Sequence, residues 1–247
     1  MGLEMGIKDF YLNGKVAFIA GARRGLGKSM ALAFAEAGAD VAIADIITEG
    51  LDEVAEGVRK FGRRTLALQL DVTNKADVEA KVRKITDELG GIDILVNTAV
   101  KGTPLPLIEL SEEDWDSMLD ISVKGYFLVS QAVVKGMIAR GKGGSIINMS
   151  SRSYVRPRER SGAYGTAKAA VVALTGQLAM ELGKYNIRAN ALAPSVVTTE
   201  LAERHWKDPE RRSSVEAEIP LGHLASAEEL ANVALFLASD GASYVSG

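Results

Sequence analysis

Three groups of residues in this chain have the types and spacing to do chemistry together. The first is Ser151, Tyr164 and Lys168, with the serine thirteen residues before the tyrosine. Tyr164-Gly-Thr-Ala-Lys168 sets two side chains at i and i+4, on one face of a helix. A lysine ammonium beside a phenol favours the phenolate and lowers a pKa that starts near about 10. Such a tyrosine can act as general base toward an alcohol or general acid toward a carbonyl. Ser151 follows the apolar run Ile146–Met149, so its hydroxyl emerges at a strand's carboxyl end, where it can bond the same substrate oxygen. The i, i+4 spacing also occurs in Tyr11-Leu-Asn-Gly-Lys15, but that copy precedes the first strand and lacks this context.

The second group is a glycine turn, Gly21-Ala-Arg-Arg24-Gly25-Leu26-Gly27, behind a predicted strand and at the start of a predicted helix. Glycines there permit tight turning and close backbone approach to a pyrophosphate, which the helix N-terminus attracts. A nucleoside-triphosphate loop competes, because Gly27-Lys28-Ser29 ends like one, but that motif needs glycine where Ala22 stands. The third group is Asp45 with Ile46, at the end of the second strand pattern and 18 residues past Gly27 in the case of the acid. A carboxylate there accepts bonds from both adenosine ribose hydroxyls and repels a 2′-phosphate. Arg23 and Arg24 pull the other way, since either guanidinium could pair with that phosphate. NAD is the expected cofactor and NADP the alternative. Together the three groups imply a nicotinamide-dependent oxidoreductase.

These groups need a scaffold, and the chain alternates short apolar runs with longer helical patterns. Strand patterns fall at Lys15–Ala20, Asp40–Ala44, Thr65–Leu70, Ile92–Asn97, Gly144–Met149 and Ile187–Leu192. They are continuous apolar segments, as in a parallel sheet covered on both faces. Helical patterns lie near 26–37, 50–61, 75–89, 112–140 and 163–184. The expected fold class is α/β, a Rossmann-type doubly wound parallel sheet in a single domain, with ligands at the carboxyl ends of its strands. The stretch 194–226 has no clear pattern and reads as a substrate loop or lid, or else as a solvated insertion.

Composition narrows the class further. The 247 residues are 47% hydrophobic, carry a net charge of −3 and include no cysteine. Disulfides, thiolate nucleophiles and thiolate metal sites are thereby excluded, and the charge gives no reason to expect nucleic acid or an anionic membrane. The two histidines have no ligating neighbours at metal-site spacing, so no metal is expected. Glu4, Lys8 and Asp9 interrupt any signal-peptide run, and Met1-Gly2 lacks the Ser or Thr at position 6 that myristoylation wants. No apolar run reaches the roughly 20 residues of a membrane span. A cytoplasmic location is expected.

In motif content the chain resembles the short-chain dehydrogenase/reductase family. The matching pieces are the Gly21–Gly27 turn, Asp71-Val72, Asn97-x-Ala99, Ser151, Tyr164-x-x-x-Lys168, Asn190-Ala-x-Ala-Pro194 and the closing Ser239-Asp to Tyr244-Val-Ser-Gly247. The resemblance implies that Asp71 and Val72 flank the adenine and that Asn97 and Ala99 line the ribose side. It implies that Lys168 also binds the nicotinamide ribose, and that Pro194, Val197 and Thr199 border the carboxamide. It further implies a homo-oligomer, a tetramer or dimer, and family members continue past the position of Gly247 with another strand and a short tail. Departures are Ala20 for a usual Thr, Thr98 and Val100 in the fourth-strand motif, and Ser195 after Pro194. The most consequential is Ser122, where the family carries a catalytic Asn that supports a water chain from the lysine.

The substrate is a small molecule whose class is less legible. Arg152, Arg156, Arg158 and Arg160 lie between the catalytic serine and tyrosine, either facing a carboxylate or phosphate or solvated at the surface. Asn13-Gly-Lys15 and Gly125–Gln131 are similar to gluconate and deoxy-ketogluconate 5-dehydrogenases, which favours a sugar acid or polyol. A 3-oxoacyl thioester comes second and cyclic or steroid alcohols third. A catalytically weak NAD(H)-binding relative is the reading from another class.

Overall fold

The computed structural model describes residues 6–247, so Met1-Gly2 and Glu4 lie outside the described residues. Six strands form one parallel sheet: β1 (Val16–Ala20), β2 (Asp40–Asp45), β3 (Thr65–Gln69), β4 (Ile94–Asn97), β5 (Gly144–Met149) and β6 (Ile187–Leu192), in the order β3-β2-β1-β4-β5-β6. β1 pairs with β2 on one side, Ala20 opposite Ala44, and with β4 on the other, Ala20 opposite Asn97. The strand order reverses between β1 and β4, which opens a crevice at their carboxyl ends.

Helices cover both faces. α1 (Gly25–Glu36) and α2 (Leu51–Lys60) pack with the last helix on one face, through Phe34, Val54 and Leu237. On the other face α3 (Lys75–Leu89) meets the sheet through Val78, Val82 and Ile85. The central strands are largely apolar because neither face sees water: every residue of β1 and β4 is buried, whereas the edge strand β3 is mostly open.

The single helical pattern over 112–140 is in fact interrupted. α4 (Glu112–Leu119) and α5 (Gly125–Arg140) are joined by a π-turn, Asp120–Lys124. α6 (Gly162–Leu182) follows β5 and carries Tyr164 and Lys168. The 194–226 stretch is also more ordered than its pattern predicts. It holds a 3-10 turn, Glu200–His205, and α7 (Pro209–Glu216), capped by Asp208 accepting from the Arg211 amide. None of α7 is buried, so no apolar stripe marks it in the sequence. α8 (Ala227–Ala238) was not expected at all, although Ser226 and Glu229 form a reciprocal capping box ahead of its apolar run. No helix among the described residues is long and apolar enough to cross a membrane.

Candidate active site

Two cavities meet at the carboxyl edge of the sheet. The first, about 250 Å³, is lined by Gly21, Arg24–Gly27, Asp45, Ile46, Asp71, Val72, Ala99, Tyr164, Lys168 and Thr199, among others. Gly21 has φ +95°, and a Cβ there would lie 2.6 Å from the Ala99 nitrogen, so only glycine lets β1 and β4 close this side. Thr98, the departure in the fourth-strand motif, helps hold them by donating to the Ala20 and Gly21 carbonyls at 2.9 and 2.7 Å. α1 starts without a side-chain cap. Its first N–H groups, at Gly25–Gly27 in the cavity wall, are therefore suited to a pyrophosphate.

Asp45 is held at the cavity's far end by the Arg23 and Ile47 amides, at 3.4 and 3.2 Å. Arg24 reaches across to Glu200, 3.4 Å away, from the glycine turn to the 194–226 segment. Lys28 is engaged elsewhere, donating to Glu53 at 2.7 Å on α2, and is absent from this cavity's wall. That arrangement leaves no phosphate-binding lysine in the turn. These donors and this carboxylate fit a dinucleotide.

α6 brings Tyr164 and Lys168 onto one face, with the lysine Nζ 5.6 Å from the Tyr164 ring centre. The helix is fixed to the end of β5 by Ser150, whose hydroxyl donates to the Lys168 carbonyl at 2.8 Å. Lys168 is only 1% exposed. Its ammonium donates to the Met149 carbonyl at 2.8 Å and to the Tyr126 hydroxyl at 3.4 Å. Burial pulls the lysine down to about pH 7, because water no longer stabilises its charge. Tyr126 lies well above its ordinary value, through burial and then the charge of Tyr164, so it stays a neutral O–H.

The second cavity, about 410 Å³, shares Tyr164 with the first and adds Ser151, Ser153, Arg152, Arg158, Arg160 and, opposite, Glu200–Glu203 and His205. Ser151 caps a short 3-10 turn, accepting from the Ser153 amide at 3.2 Å. The Arg152 amide bonds the Pro194 carbonyl at 2.9 Å, which fixes the 194–226 segment beside the serine. A phenol backed by a buried ammonium thus stands where a nucleotide cleft opens into a polar chamber.

The family model described as enoyl-(acyl carrier protein) reductase matches residues 20–247. An NAD-dependent glycerol dehydrogenase of Listeria innocua is 41% identical, over 97% of this chain and 92% of its own. The chain belongs to the short-chain dehydrogenase/reductase family. A 2-dehydro-3-deoxy-D-gluconate 5-dehydrogenase of Dickeya dadantii is 37% identical, over 98% of this chain and 94% of its own. The crystal structure of a short-chain type dehydrogenase/reductase from Mycobacterium marinum superposes with TM-score 0.90 at 38% identity, over 97% and 94% of the two chains. As a member of this family the chain is an oxidoreductase acting on CH–OH groups.

Four expected site residues of this short-chain dehydrogenase/reductase stand apart from both cavities. Asn97 is buried behind the cleft wall, its amide nitrogen donating to Asn148 at 2.8 Å and Ser130 at 3.3 Å, so it ties β4 to β5 and α5, while its Oδ1 has no partner among the described residues. Pro194 acts through its carbonyl on Arg152, and Val197 is buried, bridging to Ala225. Ser122 is fully buried in the π-turn, and its hydroxyl has no hydrogen-bond partner among the described residues. Tyr126, which reaches the lysine, is the residue the sequence reading missed. It lies one helical turn past Ser122, a spacing that could have drawn attention to it.

Proposed function

We propose that this chain moves a hydride between NAD and the carbinol carbon of a small sugar acid or polyol, as one dinucleotide-binding and catalytic domain with 194–226 as its substrate loop. The observation that carries the reading is Tyr164 lining both cavities, with the buried Lys168 ammonium behind it. NAD, when bound, supplies the hydride acceptor for the alcohol or, reduced, the donor for the ketone. In the alcohol direction Tyr164 takes the hydroxyl proton while Ser151 donates to that oxygen and orients it. Lys168 favours the phenolate and, at its outer face, a ribose hydroxyl. Tyr126 stays protonated beside it and accepts a hydrogen bond from the lysine without competing for the proton.

NAD over NADP is supported by the Asp45 carboxylate at the ribose end and by Arg24, whose charge is engaged by Glu200. The NAD-dependent glycerol dehydrogenase and the deoxygluconate dehydrogenase support a polyhydroxylated substrate. Exposed Phe127 on α5 and Met180 on α6 support a homo-oligomer, a dimer or tetramer, and the composition supports a cytoplasmic location.

The test is absorbance at the NADH band with NAD or NADP and a panel of polyols and sugar acids, repeated with Tyr164→Phe. Turnover on one class with NAD, reduced about 10³-fold or more in the variant with NADH affinity retained, is the expected result. Turnover indifferent to the substitution would overturn the assignment of Tyr164.

A further inference from the structure

The second cavity holds a charge that no described residue pairs with. Arg158 is half-buried in its wall and makes no hydrogen bond or ion pair among the described residues. Arg160, beside it, donates from Nε to the Pro104 carbonyl at 3.1 Å, a contact that leaves its charge uncompensated. Arg160 also sits at φ +59°, a left-handed conformation that is costly for a long side chain and is held here by that contact across the cavity mouth.

The acidic residues of the same cavity do not offset these cations. Glu200 is paired with Arg24 on the nucleotide side and Glu203 with Lys207 at 2.7 Å. Arg152, the third cation, lies 3.9 Å from Glu218. A half-buried guanidinium without a partner is unfavourable unless an anion completes it, and its planar fork suits a carboxylate in two parallel bonds. The solvated-surface alternative fits Arg156, which is exposed and faces Glu218. It does not fit Arg158.

Resting on the sugar acid or polyol reading above, we propose that the substrate is the acid: its carboxylate seats on Arg158 while its carbinol lies at Ser151 and Tyr164. Arg158 is then the residue that separates aldonate-like acids from the neutral polyols of the same carbon skeleton. It acts on binding and stands apart from proton transfer.

The experiment titrates matched pairs into the NADH-saturated enzyme by calorimetry: gluconate and sorbitol, galactonate and galactitol, threonate and threitol, glycerate and glycerol. At least one acid is expected to bind about tenfold or more tightly than its polyol, and Arg158→Gln to remove that preference. Arg158→Lys should restore it in part, because charge returns without the fork. In turnover, Arg158→Gln should raise KM for the acid with kcat little changed and shift KM for the matched polyol far less. Acids bound no better than polyols, or a preference untouched in Arg158→Gln, would overturn the proposal. An Arg158-dependent acid that binds but is never oxidised supports the carboxylate seat and counts against the dehydrogenase substrate reading alone.

Discussion

The two cavities that share Tyr164 are built by different means. The nucleotide side is walled by strand ends and the start of α1, and its tightest approaches are backbone: the glycine turn Gly25–Gly27 and the closely apposed Gly21 and Ala99. The substrate side is walled by 101–104, 151–161 and 195–205, irregular segments joined by side-chain contacts such as Arg160 to Pro104. A backbone-built wall is insensitive to most substitutions and reads one invariant shape. A side-chain wall on loops can be rewritten residue by residue without disturbing the sheet. The contrast explains why cofactor motifs are easy to find in such a chain and the substrate is not.

The lysine at the junction is where both sides should fail together, and it carries the largest expected effect. Lys168→Met should lower turnover about thousandfold. It should also change how stability depends on pH. Lysine titrates near 10.5 when free and near 7 in this fold, so between those values the unfolded chain holds the extra proton. Wild-type stability therefore rises with pH across that window and is lost as pH falls back through it toward 7. Without the buried ammonium the slope should vanish, leaving the variant about 2 kcal/mol or more the stabler at pH 6. Denaturant unfolding at pH 6 and pH 9 checks this; parallel pH curves for the two proteins would contradict it.

On the nucleotide side a single side chain should change selectivity more than affinity. Asp45→Ala is expected to shift the NAD to NADP ratio of kcat/KM by about tenfold to a hundredfold toward NADP. Dinucleotide binding as such should survive, and a complete loss of binding would mean that this wall depends on its side chains after all. The smallest effect is expected at Tyr126→Phe, which removes one long hydrogen bond to the lysine. Turnover should fall about threefold, with its dependence on pH displaced, and an unchanged profile would take Tyr126 out of the site.

Much of this was legible in the residues, for stated reasons. The strands were readable because both faces of a parallel sheet are buried, which writes long apolar runs such as Val16–Ala20 into the chain. Ser151, Tyr164 and Lys168 converge because β5 and α6 are fixed to one another through Ser150. Asn97 shows where residue type and motif position stop: they do not reveal that its amide nitrogen is engaged by Asn148 behind the cleft wall while its Oδ1 has no partner among the described residues. The helix α7 escaped because it buries nothing. The π-turn escaped because Asp120–Lys124 contains no proline or glycine, and the distortion answers to packing on both sides.

That π-turn sets the rotational phase between two halves of one long helical run. A π-turn holds a residue in surplus of regular winding, and each residue of an α-helix advances it by about 100°. Upstream, Met118 of α4 is keyed to Ala163 and Ala167 on the helix that bears the tyrosine. Downstream, Val129, Val133 and Met137 of α5 are keyed to the sheet. Regular winding could satisfy one of these registrations and not the other, so the surplus residue behaves like a gear tooth between two meshes. A one-residue deletion here would leave composition and helicity nearly unchanged, yet would swing Tyr126 away from the lysine it now touches.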